Sequence, residues 1–230
     1  LRRASAIVTL NRQAAQWLKT PSTVIQHGVD LERFEPAADK APKAVGLSGT
    51  SAVGVIGRIR PAKGQGDFVE AVTPLLEKFP HWVPVCVGLA KGADVAWAEQ
   101  LRHQTGGRLV LPGEQKDVVP WYQALSIVVH PSHDEAFSMV LMEAMASGCC
   151  VVATRIAAVP DVIEHDHTGF LFEPGDVTAL RAILEHLMTN PGVVERVGRA
   201  AREQARKKHG LAQEAQSLLS LYRQTLETIV

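Results

Sequence analysis

Between residues 52 and 172 the sequence alternates short, β-branched apolar runs with segments of helical periodicity. That alternation restricts the chain more than any other feature. The runs at 52–56, 83–88, 108–111, 127–130, 149–153 and 169–172 read as strands, most of them flanked by glycine, proline or charge. Helices are predicted at 66–79, 93–104, 118–124, 138–147 and near 159–164, and three more follow at 177–188, 192–208 and 211–229. Six apolar strands separated by helices predict an α/β fold: a Rossmann-like, doubly wound parallel sheet covered on both faces. The three C-terminal helices exceed what the sheet needs, so part of that segment is expected to pack elsewhere.

Ahead of this region, 4–9 and 23–30 read as short strands around a small helix at 11–19. Residues 31–50 carry Pro36, Pro42, Gly46 and Gly49 among charges and alanines, a linker composition. A formal net charge of zero gives no global attraction to nucleic acid or to an anionic membrane. Nucleic acid is therefore not an expected partner. The three cysteines, Cys86, Cys149 and Cys150, form no disulfide framework and point to a reducing cytoplasm. No apolar run is long enough to span a bilayer, and no secretory leader is read at the start. The chain opens on Leu1 and is expected to be a fragment.

Two stretches carry candidate chemistry. After the first strand of the regular region comes Gly54-Val-Ile-Gly57-Arg58-Ile-Arg60-Pro-Ala-Lys63-Gly64. Glycine lets backbone approach a ligand closely, and Arg58, Arg60 and Lys63 place cations beside the N-terminus of the next helix. Donors, cations and a helix dipole converging there suit phosphate. Neither G-x-G-x-x-G nor G-x-x-x-x-G-K-[ST] is present, so a dinucleotide enzyme or a P-loop NTPase is not indicated. The loop also reads as a solvated basic turn, and its residues alone leave both readings open.

The second stretch, SHDEAFSMVLMEAMA (132–146), follows an apolar run ended by Pro131. Ser138 is expected to cap a helix that Gly148 ends. Glu135 lies in the turn and Glu143 within the helix among Leu141, Met142, Ala144 and Met145. A carboxylate in such company needs polar partners, which the hydroxyls of a sugar or ribose would supply. Each acid alone is more often structural; two on one strand–turn–helix favour a ligand. Phe137 and Met139 read as packing side chains. His133 beside Asp134 and Glu135, and the turn His165-Asp166-His167, read as surface loops. There is no D-x-D clamp for a metal diphosphate, and no metal site or cofactor is predicted. Cys149 and Cys150 read as core.

Taken together, these stretches resemble the retaining glycosyltransferases of family four, which have the GT-B fold. The likeness runs from about 25 to 191 and lies with the C-terminal, donor-binding half. It rests on VIQHGVDLERF (24–34), GRIRPAKG (57–64), the segment 111–148 and TGFLFEPGD (168–176), in that order. Within the family it is similar to the mannosyltransferase type acting on the lipopolysaccharide core.

The resemblance implies a division into 1–23, a remnant of an N-terminal acceptor domain; 24–50, an interdomain segment and linker; 51–191, the nucleotide-sugar-binding domain; and 192–230, helices returning towards the preceding domain. It implies that Arg58 and Lys63 hold the donor diphosphate, with Gly57 beside them. Glu143 would take the ribose hydroxyls, Glu135 would face the donor sugar, and the amides of Phe137, Ser138 and Met139 would meet phosphate or sugar. Gly113 to Gln115 would line the base pocket. Ala136 and Ser138 stand where the family often has glycine, which narrows the expected sugar pocket. The implied activity is metal-independent hexose transfer with retention from a nucleotide sugar to a glycan or glycolipid acceptor. GDP-mannose is favoured over UDP-sugars, and the setting is the cytoplasm, peripheral to the inner membrane through the preceding domain. The rival readings are a non-catalytic nucleotide-sugar-binding module and a sugar epimerase of the same architecture.

Overall fold

The computed structural model describes residues 4–37, 45–47 and 50–229. Part of the linker expected at 31–50 lies outside the described residues.

The N-terminal segment forms two short parallel strands, β1 (Val8–Thr9) and β2 (Thr23–Val24), joined through α1 (Arg12–Trp17). Both strands are shorter than predicted. The run expected at 23–30 leaves the pairing after Val24, and Val29 instead bridges Gly210. The main sheet follows: β3 (Ser51–Ile56), α2 (Gln65–Val72), α3 (Leu75–Lys78), β4 (Trp82–Val87), α4 (Ala93–Gln104), β5 (Val110–Gly113), α5 (Val119–Ala124), β6 (Ile127–His130), α6 (Met139–Ala146), β7 (Cys150–Thr154), α7 (Val159–Val162) and β8 (Phe170–Phe172). The helix predicted at 66–79 is two helices. Pro74 has no amide proton and its ring clashes with the preceding turn, so the chain breaks there.

All six strands are parallel, in the order β5-β4-β3-β6-β7-β8. The order reverses between β3 and β6, and ligands of open α/β sheets bind in the crevice at the carboxyl ends of such a pair. Side-chain alternation sorts the strands into two cores. Val53, Val55, Ile127 and Val129 face Phe68 and Val69 of α2. Ala52, Ile56 and Val128 face Trp121, Leu141 and Met145 on the other side. The first crossover after β3 therefore covers one face, and the crossover after β6 covers the other.

Three helices close the chain: α8 (Val177–Thr189), α9 (Pro191–Lys208) and α10 (Leu211–Ile229). The first packs on α2, with Leu180 and Leu184 fully buried, and α9 packs on α6 and β7. A Cβ on Gly198 would lie 2.2 Å from the Gly148 carbonyl oxygen, so α9 seats directly on the end of α6. Five of the eight residues of α6, Leu141, Met142 and Ala144 to Ala146, are buried, and the helix packs on β6, β7 and α9, which fixes where its N-terminus points. The last helix packs elsewhere, as the excess of helix suggests. It meets the segment before the main sheet: Val29 N donates to His209 O, Leu211 N donates to Val29 O, and Glu214 accepts from Gly28 N. Leu219, Tyr222 and Leu226 of α10 are exposed, as is Trp17. No described helix is long and apolar enough to cross a membrane.

Candidate functional site

The exit of β3 is built for close approach. Gly57 has φ +143°, and a Cβ on Gly88 would lie 1.9 Å from the Gly57 carbonyl oxygen, so the β3 and β4 exits touch. The next turn is pinned from inside by Gln65, fully buried, whose Nε2 donates to Arg58 O (3.0 Å) and whose Oε1 accepts from Arg60 N (3.4 Å). Arg58 and Arg60 are left exposed, and Arg58 has no side-chain partner among the described residues. Pro61–Lys63 make a 3-10 turn, and Gly64, at φ +70°, turns the chain into α2.

The exit of β6 lies against that turn. His133 N donates to Ala62 O (3.0 Å), and Thr154 Oγ1 donates to Ser132 O (2.7 Å). Ser132 Oγ donates to Asp134 O (3.1 Å), curling the loop back. Glu135 then forms an ion pair with Lys63, with both side chains largely buried. Thus the structure brings together an acid and a cation predicted on separate crossovers. His133, on the outside, pairs with Asp67 at 2.7 Å and stays partly exposed, as a surface-loop residue.

A further group faces the same carboxylate. His130 ends β6, is 4 % exposed, and holds Nε2 3.6 Å from Glu135 Oε1 with no hydrogen-bond partner. Burial pushes its imidazole down to about 4, against the pull of the Glu135 carboxylate and with the help of Lys63. The ring is therefore neutral at ordinary pH.

Ser138 caps α6 by accepting from Leu141 N (3.3 Å). First-turn amides of a helix have no intrahelical acceptor, so this N-terminus offers donors to an anion. Phe137 packs edge-on to His27, with ring centroids 5.6 Å apart. Met139 does not pack as predicted; it is the first residue of α6 and is 38 % exposed. The loop is tied from outside by Asn11, which caps α1 with Oδ1 and donates Nδ2 to Ala136 O (2.9 Å).

Glu143 sits one turn further on. Its Oε2 accepts from Tyr122 Oη at 2.8 Å, leaving the other oxygen to accept elsewhere. Burial raises its pKa, while the Tyr122 hydroxyl and the nearby Arg33 guanidinium oppose the rise. Burial raises the Tyr122 phenol well above its usual range, with the Glu143 charge adding to it, so it stays a donor. Arg33 is positioned by an Asx turn in which Asp30 Oδ1 accepts from Glu32 N and Arg33 N. On the far side of the crevice, Gly113 (φ +76°) ends β5 and accepts from Gly88 N, and Gln115 donates to Pro112 O (3.0 Å).

The predicted residues thus line the carboxyl edge of the sheet. Gly57, Arg58 and Lys63 follow β3; Glu135 to Met139 follow β6; Gly113 and Gln115 close β5. The two acids have separate partners, Lys63 for one and Tyr122 for the other. Gln65, His130, Tyr122, Arg33 and Asn11 were not singled out from sequence. For Gln65 the sequence offers one signal, a polar residue directly after the glycine turn at Gly64. Among the described residues no cluster of three His, Cys, Asp or Glu is placed to hold a metal. A separate cavity of about 290 Å³, bordered by Ser126, Gly148 and Arg202, lies at the opposite, amino end of the strands.

Known proteins are similar to this chain in sequence and in fold. A family model described as "Glycosyl transferases group 1" matches residues 50–190. The lipopolysaccharide core biosynthesis mannosyltransferase LpcC of Rhizobium leguminosarum bv. viciae is 33 % identical over 233 residues, covering 98 % of this chain and 66 % of that protein. The chain spans the same 66 % of LpsB of Rhizobium meliloti. Among solved structures, the C-terminal domain of the group 1 glycosyl transferase LpcC from Francisella tularensis is 31 % identical, with TM-score 0.75 over 80 % of this chain and all of that one. Anabaena Alr3699/HepE in complex with UDP superposes with TM-score 0.88 over 97 % of this chain and 65 % of that one; at 23 % identity this speaks for the fold.

Proposed function

The chain belongs to the glycosyl transferases group 1 family and has the Rossmann-like architecture of the C-terminal half of a GT-B fold; from that premise we propose that it binds the nucleotide-sugar donor of a hexosyltransferase. The observation that carries the reading is the meeting of Lys63 and Glu135 across the β3 and β6 crossovers, at the point where strand order reverses. One donor molecule spans such a crevice.

In this reading the diphosphate lies between Gly57, Arg58, Lys63 and the N-terminus of α6. Breaking the glycosidic bond leaves negative charge on the leaving phosphate. Lys63, Arg58 and the amides of Phe137 to Met139 stabilise that charge electrostatically, in the role a metal ion fills elsewhere. Glu135 faces the sugar, and the free oxygen of Glu143 accepts from the ribose diol while Tyr122 holds the other. Gly113 and Gln115 border the base. The acceptor is a glycan or glycolipid hydroxyl, transfer proceeds with retention, and the setting is lipopolysaccharide or other glycan synthesis on the cytoplasmic side of a membrane, through a domain before residue 24. The similarity to mannosyltransferases of the lipopolysaccharide core favours GDP-mannose over UDP-sugars.

Thermal unfolding with GDP, GDP-mannose, UDP and UDP-glucose tests this. A ligand of the native state raises the midpoint by mass action. GDP-mannose at about a hundredfold its Kd is expected to add about 2.7 kcal/mol. No response to any of the four rejects donor binding.

A further inference from the structure

Among the described residues, His130 is the one buried side chain at the crevice whose ring nitrogen faces the candidate acid and has no hydrogen-bond partner. Its backbone is fixed. Residue 130 pairs with Ala153 in the sheet, and Thr154 Oγ1 lies 3.3 Å from its carbonyl oxygen. Its Nε2 and the Lys63 ammonium both approach the same atom, Glu135 Oε1, the ammonium in contact and the ring 3.6 Å away. A buried polar nitrogen without a partner is costly, so its persistence here calls for an explanation.

The geometry supplies one. Lys63 pairs with Glu135 and neutralises it. A diphosphate carries more negative charge than one carboxylate, and it competes for the same ammonium. Once Lys63 turns to it, Glu135 is left largely buried beside another anion, without a donor. The group positioned to replace Lys63 is the ring. Donating from Nε2–H, it satisfies the carboxylate without adding a second positive charge and without ionising inside the protein.

We propose that His130 is the second partner of Glu135: when the diphosphate draws Lys63 away, the ring Nε2–H closes onto Glu135 Oε1 and holds the carboxylate facing the sugar. His130 is thus a positioning residue, acting through Glu135, and the inference rests on the donor-binding reading above. The consequence is specific. Loss of the ring donor weakens binding of the bare nucleoside diphosphate, because Glu135 is then left without a donor, and weakens binding of the nucleotide sugar further, because the carboxylate is no longer held facing the sugar.

The experiment has two arms, both on the chain as described. In the first, the protein is labelled with ¹⁵N in its histidine rings and titrated with GDP and then with GDP-mannose, with UDP and UDP-glucose as the second pair. The His130 Nε2 and its proton are expected to shift downfield on saturation, in the neutral Nε2–H form. In the second, calorimetry gives the ratio of Kd for nucleotide sugar to Kd for nucleoside diphosphate in wild type, His130→Leu and His130→Gln. Leucine removes the donor and is expected to worsen the ratio by about tenfold or more, the scale of a lost hydrogen bond to a charged group. Glutamine retains a donor and is expected to restore it to within about twofold. A purely structural role would weaken both affinities by the same factor and leave the ratio unchanged. Should His130→Leu fail to fold, the wild-type ring signals decide. Binding with an unmoved ring, or an unchanged ratio in a folded leucine variant, overturns this inference alone; no binding of any nucleotide overturns the donor reading together with it.

Discussion

Gly64 and Pro131 meet backbone to backbone: a Cβ added to Gly64 would lie 1.9 Å from the Pro131 carbonyl oxygen. This contact sets the distance between the two crossovers, and so between the residues they carry. Gly64 also holds φ +70°, which side-chain-bearing residues adopt at a cost. Gly64→Ala is expected to destabilise the fold by about 3 kcal/mol, from strain and from displaced backbone together. Urea unfolding gives the stability. If the variant is as stable as wild type, the two loops are not in this contact.

Lys63→Ala separates a role in chemistry from one in folding. The Lys63–Glu135 pair is not fully buried, so its contribution to stability is expected to be about 1 kcal/mol. Stabilising a leaving diphosphate is worth more, about 2 to 4 kcal/mol by analogy with an oxyanion donor, or a loss of roughly a hundredfold to a thousandfold in turnover of nucleotide sugar. The check is kcat beside the urea midpoint, in the full-length protein. Wild-type turnover in this variant removes Lys63 from the reaction.

Tyr122→Phe deletes one hydroxyl and little else. Glu143 loses the donor that opposes the rise in its pKa, so its carboxyl is expected to titrate higher still. The lost bond to a charged group is worth about 1.5 to 3 kcal/mol. Affinity for GDP is expected to fall more steeply than wild type as pH drops through the weakly acidic range, because a protonated Glu143 accepts poorly. Isothermal titration at several pH values measures it, and parallel pH curves would show that Tyr122 does not tune Glu143.

Acid sensitivity has a definite sign. The ordinary value for histidine is 6.5, and His130 is held down to about 4 by burial. Between those values the unfolded chain binds a proton that the folded chain excludes, so stability is intact above about pH 6.5 and declines as pH falls towards 4. Glu135 and Lys63 face this ring with opposing effects. The gap corresponds to on the order of 3 kcal/mol at about 1.36 kcal/mol per pH unit. His209, also lowered by burial, adds in the same direction. His130→Gln, which has no such titration, is expected to flatten the decline. An equal slope in both proteins would place the acid lability elsewhere.

Local patterns sufficed for the sheet because each strand is a short apolar run with a helix after it, and burial on both faces needs no knowledge of the partner. They sufficed for Ser138 and Gly148, whose capping depends on neighbours in sequence. They did not suffice where partners are remote. His130 reads as the last residue of a strand, and only the return of Glu135 across the loop gives its Nε2 a meaning. Asn11 reads as the first residue of a small helix, and its bond to Ala136 spans 125 residues. Met139 reads as apolar and internal, yet a helix start can leave it in water. The helix at 66–79 was overextended because its apolar periodicity continues through Pro74, which the backbone cannot follow.

Asn11 grips two structures at once: Oδ1 holds the start of α1 and Nδ2 holds the loop ahead of α6. That carboxamide works as a hinge pin between the small N-terminal sheet and the acid-bearing turn. A tilt of the small sheet relative to the large one would reach the acid-bearing turn through the Asn11–Ala136 hydrogen bond and the His27–Phe137 contact, so the orientation of residues 4–30 and the aim of Glu135 are geared together.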